Sequence, residues 1–479
     1  MVEIPQLDSS EAPRARRWDA LVLGSGISAL IAAARIGRSG QRVLVVEEEA
    51  RTRLPPALRE PPFLAGLRDE GVLDATLRLL SVPLIDRRRL QPERLAYQIA
   101  ADPYRLDIGS PAITADELVT WGLAKPDAAQ RLVRHLVEAS EIERRLLLEA
   151  PLVRLGRRLG VTRGAAGFGD HKRGLPGDVS SATGPLAQVI GAQLRCLSNL
   201  ARSRPSPEAQ ARLLGLGLAG GIGFGGDPPW LLDLIRKRVT GLFGEFRTLA
   251  GDFELVSVSG QPGVRVARSG EIWLGRVLVL AAPLSALRDR MDGDPMRPVP
   301  SLLGREAPRR YRAACLFRVP KRILPEGMGA RVILPGALDA DDAGSEREPA
   351  VMLTAFPSQT HPDCIEVVAR AVLPETPPER LEDARRALAE SILARLERLM
   401  PFSRGELQEI GSYCPQWDSD DGWLEDPAPG HGWPAEADLR LSTRPPIVHL
   451  DRAAVAGLGL EGDLLLGWRG GDAIAAELA

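Results

Sequence analysis

One short stretch near the start limits this chain more than anything else in it. Asp19–Gly24 (DALVLG) is an apolar run of strand character that ends in glycine, and Ile27–Arg38 has the Ala, Ile and Leu content of a helix. Val43–Val46 (VLVV), after a stop at Gly40, is a second apolar run. Continuous apolar strands flanking a helix describe a βαβ unit, with parallel strands covered on both faces. Between the first strand and the helix lies GSGISA: Gly24, Ser25, Gly26, Ile27, Ser28 and Ala29. Gly24 makes the tight turn off the strand, Gly26 has no Cβ to keep a pyrophosphate from the backbone, and Ala29 lets helix and strand approach. The helix start offers free N–H groups to phosphate. Such a motif means little alone; the strand before it, the helix after it and the acid beyond make it specific. Glu47 stands 23 residues after Gly24, near the spacing of a carboxylate that binds a ribose hydroxyl. Glu48 and Glu49 continue the run and are rivals for that role, but the register favours Glu47.

The rest of the composition mainly excludes. At 479 residues the chain is longer than one hydrophobic core supports, so two domains are expected. A net charge of −2 gives no global field for nucleic acid or an acidic membrane. Cys196, Cys315, Cys364 and Cys414 form no CxxC pair, and the five histidines form no HxH or HxxxH group, so no metal site is expected. Scattered thiols suit a reducing cytoplasm. Residues 1–17 read as a polar tail without the apolar core of a signal peptide. The longest uncharged runs are too short to span a bilayer, which leaves a soluble protein or one lying on a membrane surface.

Further along, Leu95–Ala100 and Tyr104–Ile108 read as a hairpin, and the stretches Asp116–Arg158 and Pro185–Ala201 as helical. Gly215–Gly226 is a glycine-rich turn before a helix near Pro229–Leu242. Phe253–Val258, Val264–Ala267 and Val277–Ala281 are strand-like, as are 310–320 and 350–372, with an acidic loop at Asp339–Glu348. Pro377–Met400 is an amphipathic helix. The chain closes with a strand, Ile447–Leu450, and a helix from about Leu460 to Leu478.

The closing segment, IVHLDRAAVAGLGLEGDLLLGWRGGDAIAAEL, resembles the C-terminal element of glutathione-reductase-type FAD proteins, in their amine oxidase and phytoene desaturase branch. The resemblance implies that Asp451 lies near the ribityl–pyrophosphate region. It also puts the helix start Leu460-Glu461-Gly462-Asp463 beside the flavin pyrimidine, where a helix N-terminus suits the charge of reduced flavin. The middle of the chain is similar too: Gly220 and Gly221, a helix, FELVSV and VLVLAAP, with the Val256 backbone corresponding to an adenine contact. The implied fold is α/β, a Rossmann-like FAD-binding domain assembled from residues 18–56, 216–285 and 445–479, with an α+β substrate domain from 57–215 and 286–444. One departure stands out. Where the family carries a GGR-type motif on the pyrophosphate, this chain has Pro55-Pro56, and proline has neither an N–H to offer nor access to positive φ. Either Arg51 or Arg53 supplies compensating charge, or FAD is held more weakly, or the site has decayed.

The resemblance implies an FAD-dependent oxidoreductase taking hydride at flavin N5 from an apolar, polyene-like small molecule. An amine oxidase is the alternative, but only Tyr97, Tyr104, Tyr311 and Tyr413 are available for an aromatic cage. A non-catalytic flavin-fold subunit is the third reading. His171, in a polar loop with Asp170, Lys172 and Arg173, is more readily a solvated residue than a base, and His449 a packed one. Arg318 and Lys321 read as exposed. Trp417, Trp423 and Trp433 read as anchors of a proline-rich connection rather than walls of a channel, and Trp468 and Arg469 fall on the last helix.

Overall fold

The computed structural model describes residues 6–7, 15–66, 71–149, 153–154, 183–202, 204–224, 230–288, 310–338, 346–374, 376–414, 417–418, 422–424, 426 and 437–479. The two N-terminal apolar runs form β1 (Arg16–Leu23) and β2 (Val43–Glu48), parallel and in register from Ala20↔Val43 to Leu23↔Val46. Ala20 to Leu23 are all 0% exposed, so these strands are buried on both faces rather than alternating. Helix α1 (Ile27–Arg38) joins them and ends on Arg35 and Arg38, cations that suit a helix C-terminus. Its Ile27, Leu30, Ile31 and Ile36 are at most 2% exposed. Each such side chain contributes about 1.5–3 kcal/mol by burial.

β3 (Glu245–Leu249) adds to β2 in parallel. β4 (Phe253–Val258) and β5 (Gln261–Val266) form a hairpin closed by Ser259 and Gly260, both at positive φ as a two-residue turn of that hand requires. β6 (Ile272–Leu280) returns beside β1, and β7 (Pro446–His449) joins its last residues. The sheet runs Gln6–Leu7, β4, β5, β6, β1, β2, β3, with β7 against β6. The expected polar tail is thus corrected at Gln6–Leu7, which pairs in parallel with β4. A second, eight-stranded sheet runs Gln408–Tyr413, Arg310–Pro320, Cys364–Pro374, Val351–Pro357, Arg331–Leu334, Leu95–Ala101, Tyr104–Gly109, with Trp423–Leu424 on the second of these strands. The helix Leu381–Leu399 covers it through Leu388, Ile392 and Leu396.

Three further helices matter for the site: α2 (Pro126–Glu149), α3 (Pro207–Leu218) and α4 (Leu231–Gly241). α3 takes in Gly215 and Gly217, so the expected glycine-rich turn begins only at Gly220, which has φ +84°. The reason is contact: a Cβ at Gly215 would lie 2.5 Å from Ser140 Cβ, so these glycines permit close helix packing rather than a turn. The last helix, α5 (Leu460–Leu478), lies across α1. Gly467 and Gly471, one turn apart, face it: a Cβ there would sit 2.6 Å from the Ser28 carbonyl oxygen and 2.8 Å from Ala32 Cα. Arg35 seals the crossing by donating to Asp472 at 2.6 Å.

Candidate functional site

The first end of the site is the turn between β1 and α1. Gly24 has φ +126°, and a Cβ on it would lie 2.8 Å from the Ala281 carbonyl oxygen at the end of β6. A side chain is excluded there twice over, by conformation and by contact. Gly26 caps α1 at φ −73°, open to any residue, so its smallness serves access to the helix end rather than backbone shape. Ser25, Ile27, Ser28 and Ala29 are buried around it.

An anion already rests on this turn, and the chain supplies it. The Ser25 hydroxyl donates to Asp418 Oδ2 at 2.8 Å, and the Glu48 N–H donates to the same oxygen at 3.0 Å. The Ser25 N–H donates to the Asp418 carbonyl at 3.3 Å. Asp418 is fully buried, and burial pushes its carboxyl above the ordinary range; the nearby Arg51 charge and these donors oppose the shift. Trp417 lies beside it against Phe253, with ring centroids 5.5 Å apart, which makes it an anchor. Trp433 and His171, with Asp170, Lys172 and Arg173, lie outside the described residues.

The acidic run divides by position. Glu47, expected on a ribose, is buried, and both its oxygens accept from Arg236 of α4 at 2.6 Å. Arg236 also stacks over Phe246, 3.9 Å from the ring centre. Glu48 is buried, whereas Glu49 is on the surface and pairs with Arg53. The Arg53 side chain is 74% exposed, whereas Arg51, 4% exposed, is the buried cation of the two. Pro55 and Pro56 open a short helix, Pro56–Arg59, where a missing N–H costs nothing. Just beyond, Glu60 accepts from the Leu232 N–H at 3.1 Å, and burial pushes its pKa up to about 8.

The second end is the start of α5. Leu460, Glu461, Gly462 and Asp463 form its first turn as expected, but the two acids are turned into ion pairs. Arg212 of α3 holds Glu461 through Nε at 2.7 Å and Nη2 at 2.5 Å, while its Nη1 donates to the Ser140 carbonyl of α2. Arg452 holds Asp463 at 2.6 and 2.9 Å, and Asn199 adds a bond at 3.0 Å. All four charged groups are at most 4% exposed. Asp451 accepts from the Ala453 N–H and caps the turn before α5, and beside it burial holds His449 below the ordinary histidine range. Arg469 points away, toward the Leu148 carbonyl. Val256 is buried within β4. Against the α5 start lies a cavity of about 40 Å³, whose lining includes Phe63, Leu197, Leu213, Leu216, Leu458 and Leu460. None of the four tyrosines lines it; Tyr97 packs edge-on to Phe63 and donates to Gln193.

An α/β sheet with a glycine turn feeding a helix, a second mixed sheet and a closing helix across the first define the class: this is the flavin amine-oxidase fold. No protein-family model and no curated protein matches the chain. Among solved structures, putrescine oxidase bound to putrescine is similar over 96% of this chain and 100% of its own, at 15% identity and a TM-score of 0.54. Cyclohexylamine oxidase from Brevibacterium oxydans gives 14% identity and 0.53, covering 96% and 99%. An oxidoreductase from Methanosarcina mazei gives 13% and 0.52, covering 94% and 99%. At such identities the likeness is one of fold. The resemblance in the sequence implies FAD as the cofactor.

The residues at the turn suit that cofactor's diphosphate. Its donors already bind a carboxylate, Gly24 leaves no room for a side chain, and Arg51 adds a buried cation. Among the described residues no group of His, Cys, Asp and Glu could hold a metal, and no helix is long and apolar enough to cross a membrane. The residues that sequence reasoning missed are Asp418, Arg236, Arg212, Arg452 and Glu60. No motif marks them: the arginines number 57, and Asp418 sits in a run, WDSDDGW, with two rivals.

Proposed function

We propose that this chain is an FAD-dependent oxidoreductase acting on an apolar small molecule of polyene or isoprenoid type. The observation that carries the cofactor is the glycine turn, with Gly24 at φ +126° against Ala281 and with Ser25 and Glu48 donating to an anion. Ser25 and the α1 start would hold the diphosphate, with Arg51 as its cation. The α5 start would face the flavin pyrimidine. When bound, the flavin supplies hydride acceptance at N5, so no protein nucleophile is required.

One feature supports the apolar substrate over an amine. The cavity at the α5 start is walled by Leu197, Leu213, Leu216, Leu458, Leu460 and Phe63 beside the charged groups Arg452, Glu461 and Asp463, whose charges are taken up in ion pairs, and no tyrosine lines it. The chain's similarity to amine oxidases is a similarity of fold, which hosts many chemistries.

The test is FAD titration of the purified full chain, followed by flavin fluorescence and by visible absorption. Saturable binding near one FAD per chain is expected, and Gly26→Val abolishes it by placing a branched side chain over the helix end. Equal binding by wild type and Gly26→Val sinks the turn assignment. Anaerobic bleaching by a polyene but not by simple primary amines is the expected substrate pattern; the reverse makes the protein an amine oxidase.

A further inference from the structure

A nucleotide crevice in an α/β sheet lies at the carboxyl ends of the strands, against the N-terminus of the helix after the first strand. In this chain that place is taken by protein. Asp418 binds both Ser25 and Glu48, that is, the ends of β1 and β2, through one oxygen of its carboxylate and its own carbonyl. Its other oxygen, Oδ1, is buried with no hydrogen-bond partner among the described residues. Trp417 fills the adjoining space next to Phe253.

We infer that Asp418 and the diphosphate of FAD are alternative occupants of one crevice, and that the displacement of Asp418 sets the affinity for the cofactor. The inference rests on the FAD reading above. Both occupants are anions that use the same N–H and hydroxyl donors, and two anions in one buried crevice repel. The carboxylate is a poor tenant: burial penalises its charge, and half of its acceptor capacity is unused. A diphosphate has more oxygens to offer the same donors and leaves Arg51 with an anion to neutralise. Apparent affinity is then the intrinsic affinity reduced by the fraction of molecules with Asp418 out of the crevice.

The experiment compares the full-length wild type with Asp418→Asn and Asp418→Ala, each titrated with FAD and with ADP. ADP carries the diphosphate without the flavin. Removing the charge is expected to tighten FAD at least about ten-fold, and ADP by a similar factor, because the competition is for the diphosphate seat. Asp418→Asn keeps the shape and an acceptor oxygen, so it carries the test if the alanine variant does not fold. Unchanged or weaker binding in the variants, beside measurable binding in the wild type, overturns the inference and leaves the FAD reading standing. No binding of FAD by any of the three proteins overturns both.

Discussion

The two ends of the candidate cofactor site hold their buried acids in opposite ways. At the α5 start, Glu461 and Asp463 each have a guanidinium, from Arg212 and Arg452. At the β1–α1 turn, Glu47 is paired with Arg236, but Asp418 rests on a hydroxyl and an N–H, and Glu60, at the start of α4, accepts from the N–H of Leu232. A buried carboxylate opposite arginine is locked, since removing either member strands a charge. One held by uncharged donors is desolvated without full compensation, so it can be protonated or exchanged for a better anion. The far end of the site is therefore scaffold, and the near end is where the molecule can respond.

The locked end should show the largest effect. Arg212→Ala or Glu461→Ala is expected to cost about 3–5 kcal/mol in urea unfolding, because a buried charge loses its partner. Replacing both with methionine and leucine should recover most of that loss. A single variant as stable as wild type would mean that water reaches the pair and that the contrast between the ends is false.

Next comes the pH response of the near end. The Glu60 pKa is raised to about 8, so the fold favours its protonated form. Its contribution is fully present below the ordinary carboxyl range and is lost as pH rises through about 8. Wild type should lose stability, on the order of a few kcal/mol, between pH 5 and 8. Glu60→Gln should remove that slope, measured as urea midpoints across the range. A parallel slope in both proteins would show that Glu60 is ionised and well solvated. The smallest effect is expected from Arg53→Ala, within about 0.5 kcal/mol, since its pair with Glu49 is on the surface. That variant should also leave FAD titration unchanged, which separates Arg53 from Arg51.

The sequence was legible where local physics dictates shape. The apolar runs at 19–24 and 43–46, the glycine turn, the hairpins and the closing helix all appear where their patterns put them, because each is decided by neighbours within a few residues. The occupancy of the site was not legible. Asp418 meets Ser25 across 393 positions, Arg236 meets Glu47 across 189, and Arg212 meets Glu461 across 249. Nothing in local composition distinguishes those partners from the other charged residues. Arg53 shows the same limit at short range: it and Arg51 lie two residues apart in one motif, and only the turn of the backbone decides which faces inward.

The crossing of α1 and α5 has a consequence in time. Arg35 and Asp472 are 437 residues apart in the chain, and the seam they close is cut so close that Gly467 and Gly471 admit no side chain. At about 5–20 residues per second, a ribosome needs roughly 20 to 90 s to travel from one half of that seam to the other. Throughout that interval the face of α1 that meets α5 has nothing to lie against. The glycine turn that opens α1, made early, is therefore among the last parts of the fold to be finished.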